Sequence, residues 1–266
     1  MCCIARKNEC GTCPYNKTCA YAFIFETIIP QENQVAPGTV RASHPFSFSN
    51  CSQNEFTITL YGKACDYLPY IYAAFYRASK QGLFKERIPF DITDVKIAEK
   101  SILIDEENIS TQNPVFEWKY ENVADVDTAN SDVVAREKEL FIELKTPLRF
   151  KVQGKYSTDF NQVDFMNCLF RRAKTLCLLY GQFDEGFSYN AQKIEFEMTE
   201  KNLMWKDSVH YSARQKRAME LGGACGSFKL KGKFSDFELA LIDFAKIFNA
   251  GKNTNFGLGQ MDYWIR

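Results

Sequence analysis

The second half of the chain carries the clearest pattern of hydrophobic and polar positions. Apolar residues recur every three or four positions over residues 163–180 and 235–248, which predicts two helices with one buried face each. Residues 140–152 predict a strand that is broken at Pro147. Three other segments alternate apolar and polar residues and predict half-buried strands: 194–198, 228–233 and 261–265. The resulting β-α-β-β-α-β order is that of a ferredoxin-like domain.

The first half repeats part of this order. Residues 44–48 and 55–62 predict strands, residues 66–82 a helix with Pro69 in its first turn, and residues 89–98 a strand. An opening β-α unit is missing from this half or reduced to the cysteine-rich segment. We therefore predict an α+β fold of two tandem ferredoxin-like domains, the first incomplete at its N-terminus. The predicted parts are an N-terminal domain at 1–105 with a cysteine-rich segment at 2–19, an acidic connection at 106–138, and a C-terminal domain at 139–266 with a glycine-rich loop at 251–259.

Composition permits two hydrophobic cores and leaves no overall charge. The chain has 266 residues, of which 45% are hydrophobic and 23 are Phe, enough to fill two domains. Its formal net charge is +0, so a nucleic-acid partner requires a local basic surface. No run of about 18 apolar residues occurs, and residues 1–10 lack the apolar stretch of a signal peptide. We therefore expect a cytoplasmic protein with no membrane partner.

A local basic surplus lies in residues 201–233. Eight Lys and Arg side chains minus two acidic ones leave +6 in this segment. Part of the surplus alternates along one predicted strand, which favours an RNA-binding surface over a merely solvated face. The predicted RNA-binding residues here are Arg214, Lys216, Arg217, Lys229, Lys231 and Lys233.

The glycine-rich loop at 251–259 joins the last predicted helix to the last strand. Glycine permits positive φ and close approach of a ligand, while the residues between supply donors suited to an extended anion. Lys252 is predicted to touch a phosphate directly, and the alternative is an exposed turn lysine. The other predicted RNA-binding residues of the loop are Gly251, Asn253, Gly257 and Gly259.

Half of the ten cysteines lie in the first 19 residues. Cys10, Cys13 and Cys19, with Cys3 or its neighbour Cys2 as a fourth ligand, have a spacing suited to zinc. A site filled by four thiolates leaves no open position, so such an ion would be structural. The alternative is a set of free, partly buried thiols.

At this point the chain resembles a known family, the CRISPR precursor-RNA-processing endoribonucleases of the RAMP superfamily, in the branch found beside type III systems. The segments that carry the resemblance occur in the family's order: "CAYAFIFET", "LYGKACDYLPYIYAAF", "TPLRFKVQGK", "HYSARQ", "LGGACGSFKLKG" and "FGLG". The family implies tandem ferredoxin-like domains that bind CRISPR repeat RNA and cut it once per repeat without a metal. It also implies that other CRISPR-associated proteins or a second copy of the chain are partners.

The sequence departs from the family at two places. The family has a glycine-containing β-α unit before the cysteine segment, and this chain starts too late to include it. Near the last loop the family pattern is His-x-Gly-Lys, where this chain has Asn249, Ala250, Gly251 and Lys252. An asparagine side chain does not exchange a proton near neutral pH.

Metal-free RNA cleavage needs groups that move protons and a cation for the phosphorane charge. His44 and His210 are the two imidazoles of the chain. We predict that His210 and Tyr211 act with Lys252 in cleavage, and that His44 has a structural role. Trp264 lies opposite its apolar strand neighbours and is predicted to have a role outside the core.

The leading hypothesis is an endoribonuclease that uses the 2′-OH as nucleophile, needs no cofactor for catalysis, and leaves a 2′,3′-cyclic phosphate. The alternative is a non-catalytic RNA-binding RAMP subunit, in which the hairpin of His210 grips RNA without chemistry. A third hypothesis is an unrelated ferredoxin-like scaffold.

Overall fold

A computed structural model describes residues 10–27, 43–52, 54–97, 99–110, 112, 118, 136–181, 188–212 and 217–265. The chain divides into two units, one formed by 1–60 with 119–266 and the other by Tyr61–Trp118. These bounds differ from the predicted ones, because residues before 61 group with the C-terminal half.

Strands in the first half are shorter than predicted. The predicted hairpin is present as β1 (Phe46–Ser49) and β2 (Thr57–Leu60). In the smaller unit, α1 (Leu68–Gln81) confirms the predicted helix and has its proline in the first turn. The strand predicted at 89–98 is reduced to β3 (Lys96–Ile97), which pairs with β4 (Lys100–Ser101). Among the described residues before 136, no sheet has more than two strands.

The smaller unit has its own small core. Tyr72 on α1 packs with Ile102 and Ile109, all of them buried. The Tyr72 hydroxyl donates a hydrogen bond of 2.7 Å to the carbonyl of Glu106, which satisfies the polar end of the ring. The described part of this unit is therefore stabilised mainly by the packing and the hydrogen bond of Tyr72.

The C-terminal half has the predicted β-α-β-β-α-β order. Its elements are β5 (Arg136–Leu148), a small hairpin of β6 (Lys151–Val152) and β7 (Lys155–Tyr156), α2 (Gln162–Tyr180), β8 (Glu195–Lys206), a second hairpin of β9 (Val209–Ser212) and β10 (Arg217–Glu220), β11 (Gly223–Phe234), α3 (Asp236–Phe248) and β12 (Met261–Ile265). The main sheet is antiparallel with the spatial order β12-β5-β11-β8. The hairpin β9-β10 follows the end of the β8-β11 ladder.

Alternation along the strands assigns one face of this sheet to the core. The fully buried side chains come from the sheet and from both helices: Leu140, Ile142, Phe165, Met166, Leu169, Phe228, Leu230, Leu241 and Ile242. Each of these two helices starts with a capping box. The side chain of the N-cap residue accepts a hydrogen bond from the backbone N–H three residues later, and the side chain of that later residue accepts one from the N-cap N–H. The opposite face of the sheet carries the charged residues of β5, β8 and β11.

Pro147 does not break its strand, contrary to the prediction. β5 continues to Leu148, and its pairing with β11 shifts register between Leu144 and Leu148. A bulge of this kind tolerates a residue without an N–H. The Pro147 carbonyl accepts a hydrogen bond of 3.0 Å from the N–H of Gly259, so this irregular end of β5 fixes the glycine loop.

None of the described helices is long and apolar enough to cross a membrane.

Candidate nucleic-acid interface

The glycine loop (residues 251–259) is tied closely to the end of β5. Gly251 has φ +74°, and a Cβ built on it would lie 2.6 Å from the carbonyl oxygen of Arg149. Gly259 has φ +75°, and its Cβ would overlap the carbonyl oxygen of Ala250. Both positions therefore require glycine. Gly257 has φ +81° but has room, because its Cβ would meet no atom closer than 3.8 Å.

Four backbone N–H groups of this loop, and that of Ala250 just before it, donate to carbonyls inside the protein. The hydrogen bonds run from Ala250 to Gly259, Lys252 to Arg149, Phe256 to Asn253, Gly257 to Thr254 and Gly259 to Pro147, with lengths of 2.8 to 3.0 Å. The glycines therefore shape a compact loop, and the loop presents the exposed side chains of Lys252 and Phe256 outwards.

Asn249, at the position where the family resemblance implies a histidine, is fully buried at the end of α3. Its Nδ2 donates to the carbonyls of Phe48 at 2.9 Å and Leu258 at 3.1 Å. The side chain therefore joins strand β1 to the glycine loop. An amide in this position has a structural role and presents no group that exchanges protons near neutral pH.

His210 lies on β9 and meets the glycine loop. Its exposed ring packs against Phe256 with ring centroids 4.9 Å apart. Across the hairpin His210 faces Met219 of β10. The structure thus brings the predicted catalytic histidine to the predicted RNA-binding loop, through an aromatic contact that sequence reasoning did not identify.

A groove of about 700 Å³ runs beside this contact. Its walls come from β1, the ends of β5 and β8, the glycine loop and β12. Four charged side chains line it: Lys145, Lys206, Lys246 and Asp262. Lys246 pairs with Asp262 at 2.7 Å, and Lys145 pairs with Glu143 at 2.5 Å, which leaves Lys206 as a lining cation that forms no ion pair among the described residues. The groove therefore combines lysine side chains with the exposed ring of Phe256, which are contacts suited to phosphates and bases.

The predicted lysine stripe of β11 is offset by carboxylates. Lys229 bonds Glu200 at 2.7 Å and Glu139 at 3.0 Å, and these hydrogen bonds raise the pKa of the ammonium group. Lys231 stands between Glu139 of β5 and Glu197 of β8 in the sheet register. The β11 lysines that contribute to the surplus of +6 therefore lie among carboxylates on the folded sheet.

Lys233 continues the same arrangement, with Glu195 at 4.0 Å and Glu137 opposite it on β5. Cross-strand pairs of opposite charge are a normal way to stabilise an open sheet face. The sequence alone could not reveal them, because the partners come from strands far apart in the chain.

Other predicted residues fall outside the described part of the chain. These are Arg214 and Lys216, the side chains of Tyr211 and Arg217, and Cys3. Asn253 is described and adopts φ +63° within the loop.

The cysteine segment is described from residue 10. Cys10, Cys13 and Cys19 are half-buried cysteines, and no three metal-ligand side chains of the described ranges form a group that could hold an ion. The zinc site stays a prediction.

Two further sequence predictions concern aromatic and imidazole rings away from the groove. Trp264 is exposed on the open sheet face, 5.8 Å from the ring of Phe141, as its position in the alternation predicts. His44 Nδ1 lies 3.1 Å from the carbonyl of Ile24, and the ring stacks on Phe46. His44 thus ties the N-terminal segment to β1, which is the structural role expected.

Comparison with known proteins assigns the C-terminal half to a family. The model of the family described as CRISPR-associated endoribonuclease Cas6 matches residues 142–261, which contain both hairpins, His210 and the glycine loop. The C-terminal half matches the Cas6 family. The resemblance to CRISPR precursor-RNA-processing endoribonucleases is thereby confirmed. Residues 1–116 match the AF_1859_N family, described as an N-terminal domain. No curated protein gives a significant match to this chain.

Solved Cas6 structures are similar to this chain at low identity. Thermus thermophilus Cas6 (TTHB231) is 15% identical over 50% of this chain, with a TM-score of 0.34, and the match spans 56% of that protein. A Cas6 (TTHB231) product complex is 14% identical over 92% of this chain and 90% of that one, with a TM-score of 0.48. A partial Cas6-RT-Cas1–Cas2 complex is 16% identical over 49% of this chain and 22% of that one, with a TM-score of 0.35. The fold of the C-terminal half is therefore described from its own strand pairing and helix packing.

Proposed function

We propose that this protein binds CRISPR repeat RNA and cleaves precursor crRNA within the repeat. The observation that carries the proposal is the match of residues 142–261 to the Cas6 endoribonuclease family, which covers His210 and the glycine loop. The contact between these two elements at the side of a groove supports it.

The groove beside the glycine loop is the proposed binding site of the RNA strand. Phe256 is 39% exposed and offers a flat surface on which an unpaired base can stack. Lys206 lines the groove, and Lys252 stands exposed on the loop. Both cations are suited to phosphate contacts, which supply most of the affinity for RNA and do not depend on its sequence.

In the proposed reaction the ribose 2′-OH attacks the adjacent phosphorus, and the 5′-oxygen of the next nucleotide leaves. The products are a 2′,3′-cyclic phosphate and a 5′-hydroxyl. His210 is the residue proposed to transfer a proton, with Tyr211 as a hydrogen-bond partner, because imidazole works as acid and base near neutral pH. Lys252 is proposed to stabilise the added negative charge of the phosphorane. No metal enters this scheme.

The finer fold assignment is also a proposal. The β12-β5-β11-β8 sheet with α2 and α3 on one face supports a ferredoxin-like C-terminal domain. For the N-terminal half we propose an incomplete version of the same fold, which the two-stranded hairpin β1-β2 and the helix α1 support.

A non-catalytic RNA-binding subunit is the second candidate. The observation that favours it is Asn249, whose buried amide bonds two backbone carbonyls where the family has histidine. If a histidine at this position supplies the essential proton in the family, this chain would still bind RNA in the groove but would not cleave it.

Incubation of end-labelled repeat RNA with the pure protein, in buffer with EDTA, separates these candidates. Native and denaturing gel electrophoresis measure binding and cleavage separately. RNA that is retarded on the native gel, together with a product that carries a 2′,3′-cyclic phosphate, supports the endoribonuclease. Retarded but intact RNA supports the binding subunit. RNA that is neither retarded nor cut would contradict both proposals. Repeat RNA with 2′-deoxyribose at the cleaved position is the matched control, because it binds but lacks the nucleophile.

A further inference from the structure

The hairpin β6-β7 forms, with the glycine loop, a basic surface that the sequence did not single out. We infer that Arg149, Lys151 and Lys155 bind the RNA backbone outside the groove and continue its path from Lys252 of the glycine loop; these four cations are here called the basic edge. This inference rests on the proposed function and extends the RNA path from the loop onto the hairpin.

The hairpin is short and has a defined shape. Lys151 pairs with Tyr156, and Val152 with Lys155. The two turn residues between them, Gln153 and Gly154, have φ +48° and +83°, as a tight two-residue hairpin turn requires. A Cβ built on Gly154 would meet no atom within 4 Å, so the turn projects away from the rest of the unit.

Arg149 is held at the base of the hairpin. Its guanidinium carbon lies 3.7 Å from the centre of the Tyr156 ring, and one of its nitrogens donates to the carbonyl of Gly222 at 2.5 Å. The ammonium nitrogen of Lys151 is 5.5 Å from the centre of the same ring. Two cations therefore gather around one aromatic ring, and the remaining guanidinium donors are available to a phosphate.

The hairpin and the glycine loop are physically joined. The N–H of Lys252 donates to the carbonyl of Arg149 at 2.8 Å, and the backbone of Gly251 approaches the same carbonyl. Lys252 is therefore fixed beside Arg149 within one unit. In the register of the hairpin, Lys151 shares the face of Tyr156 with Arg149, and Lys155 extends from the opposite face.

The charges of the basic edge are not offset in the way those of β11 are. Among the described residues, none of these four cations forms an ion pair with a carboxylate, and Lys151, Lys155 and Lys252 are exposed. The neighbouring acids have other partners, since Asp159 pairs with Lys201 at 3.7 Å and Asp207 accepts from the Trp205 ring at 2.6 Å. Cations that form no ion pair among the described residues, on both faces of one projecting hairpin, favour an anionic ligand, and a strand of phosphates supplies charges at regular spacing.

The test compares two double variants that remove the same charge. Lys151→Ala/Lys155→Ala removes two cations from the basic edge, and Lys231→Ala/Lys233→Ala removes two from the carboxylate-lined sheet face. Each phosphate contact on a single strand contributes about 0.7 to the slope of log affinity against log salt. The hairpin variant should therefore lower the slope by about 1.4 and weaken binding roughly tenfold near 0.15 M salt, while the sheet variant should match the parent.

Fluorescence anisotropy of labelled repeat RNA at several salt concentrations measures both quantities, and thermal unfolding confirms that the exposed substitutions leave the fold intact. A parent protein that does not bind repeat RNA would overturn the proposed function. A parent that binds, together with a hairpin variant of unchanged affinity and slope, would overturn the basic edge alone. Equal losses in both variants would also overturn it, because location would then be irrelevant.

Discussion

Asn249 should stabilise the junction of β1 and the glycine loop, and its replacement by Ala tests that role. The side chain is fully buried, and its amide nitrogen donates to Phe48 and Leu258. The backbone at Asn249 has φ +58° and ψ +155°, a region that side chains other than glycine rarely adopt. Asn249→Ala therefore removes two hydrogen bonds and places an alanine, which tolerates positive φ less well than asparagine, in this strained conformation.

The expected loss of stability follows from these two terms. Each buried hydrogen bond contributes about 1 kcal/mol net, so the two bonds contribute about 2 kcal/mol. Replacing an asparagine by alanine at positive φ costs about 1 kcal/mol more. We expect Asn249→Ala to lower the free energy of unfolding by about 3 kcal/mol.

Asn253 provides the matched control. It too adopts positive φ, at +63°, and its side chain makes no capping hydrogen bond. Asn253→Ala should therefore cost only the backbone part, about 1 kcal/mol. A third variant, Asn249→Gly, relieves the strained backbone but still lacks the amide, so its stability should lie above that of Asn249→Ala.

Urea denaturation followed by tryptophan fluorescence gives the three differences in free energy of unfolding. If Asn249→Ala and Asn253→Ala lose the same stability within about 0.5 kcal/mol, the buried amide does not hold β1 to the loop. The structural account of the Asn249 position would then be wrong.

Three other predictions concern the loop, the sheet edge and the cysteine segment. Gly259→Ala should disrupt the loop, since its Cβ would overlap a carbonyl oxygen, and should lower both the melting temperature and RNA affinity. Burial and the hydrogen bond to Asp243 raise the pKa of Tyr263 from 10.0 to about 12. The contribution of Tyr263 to the free energy of unfolding is therefore fully present below pH 10 and is lost as the pH rises towards 12. Between pH 9 and pH 11.5, the free energy of unfolding of Tyr263→Phe should fall less than that of the parent. Elemental analysis should find one zinc-like ion per chain in the parent and none in Cys10→Ser/Cys13→Ser, whereas equal metal contents would remove the predicted site.

Local patterns predicted the C-terminal elements well. The helix α3 and the strand β12 follow from periodicity within their own residues. Pro147 was misjudged, because whether a proline fits a strand depends on the register of the neighbouring strand. The first half was predicted less well, since its strand at 89–98 has few apolar partners and shrinks to β3.

In the candidate site, too, the features predicted correctly depend on neighbouring residues, and those missed depend on contacts between segments far apart in the chain. The glycine loop was recognised because glycine and lysine spacing is local. The offset of the β11 lysines was not, because Glu139 and Glu197 reach them from strands remote in sequence. The contact of His210 with Phe256 likewise depends on how a hairpin and a loop meet in space. The basic edge did have a local signal, a turn at Gln153 and Gly154 flanked by lysines.

The central claim is that the groove beside the glycine loop binds repeat RNA and that His210 performs the proton transfer there. The most direct measurement is the single-turnover cleavage rate and the dissociation constant of one labelled repeat RNA, for the parent and for His210→Ala, in the presence of EDTA. The account predicts that His210→Ala keeps most of the affinity and loses cleavage by a factor of roughly 10² to 10⁴, the usual contribution of a general acid or base. Cleavage at the parental rate by His210→Ala would contradict it.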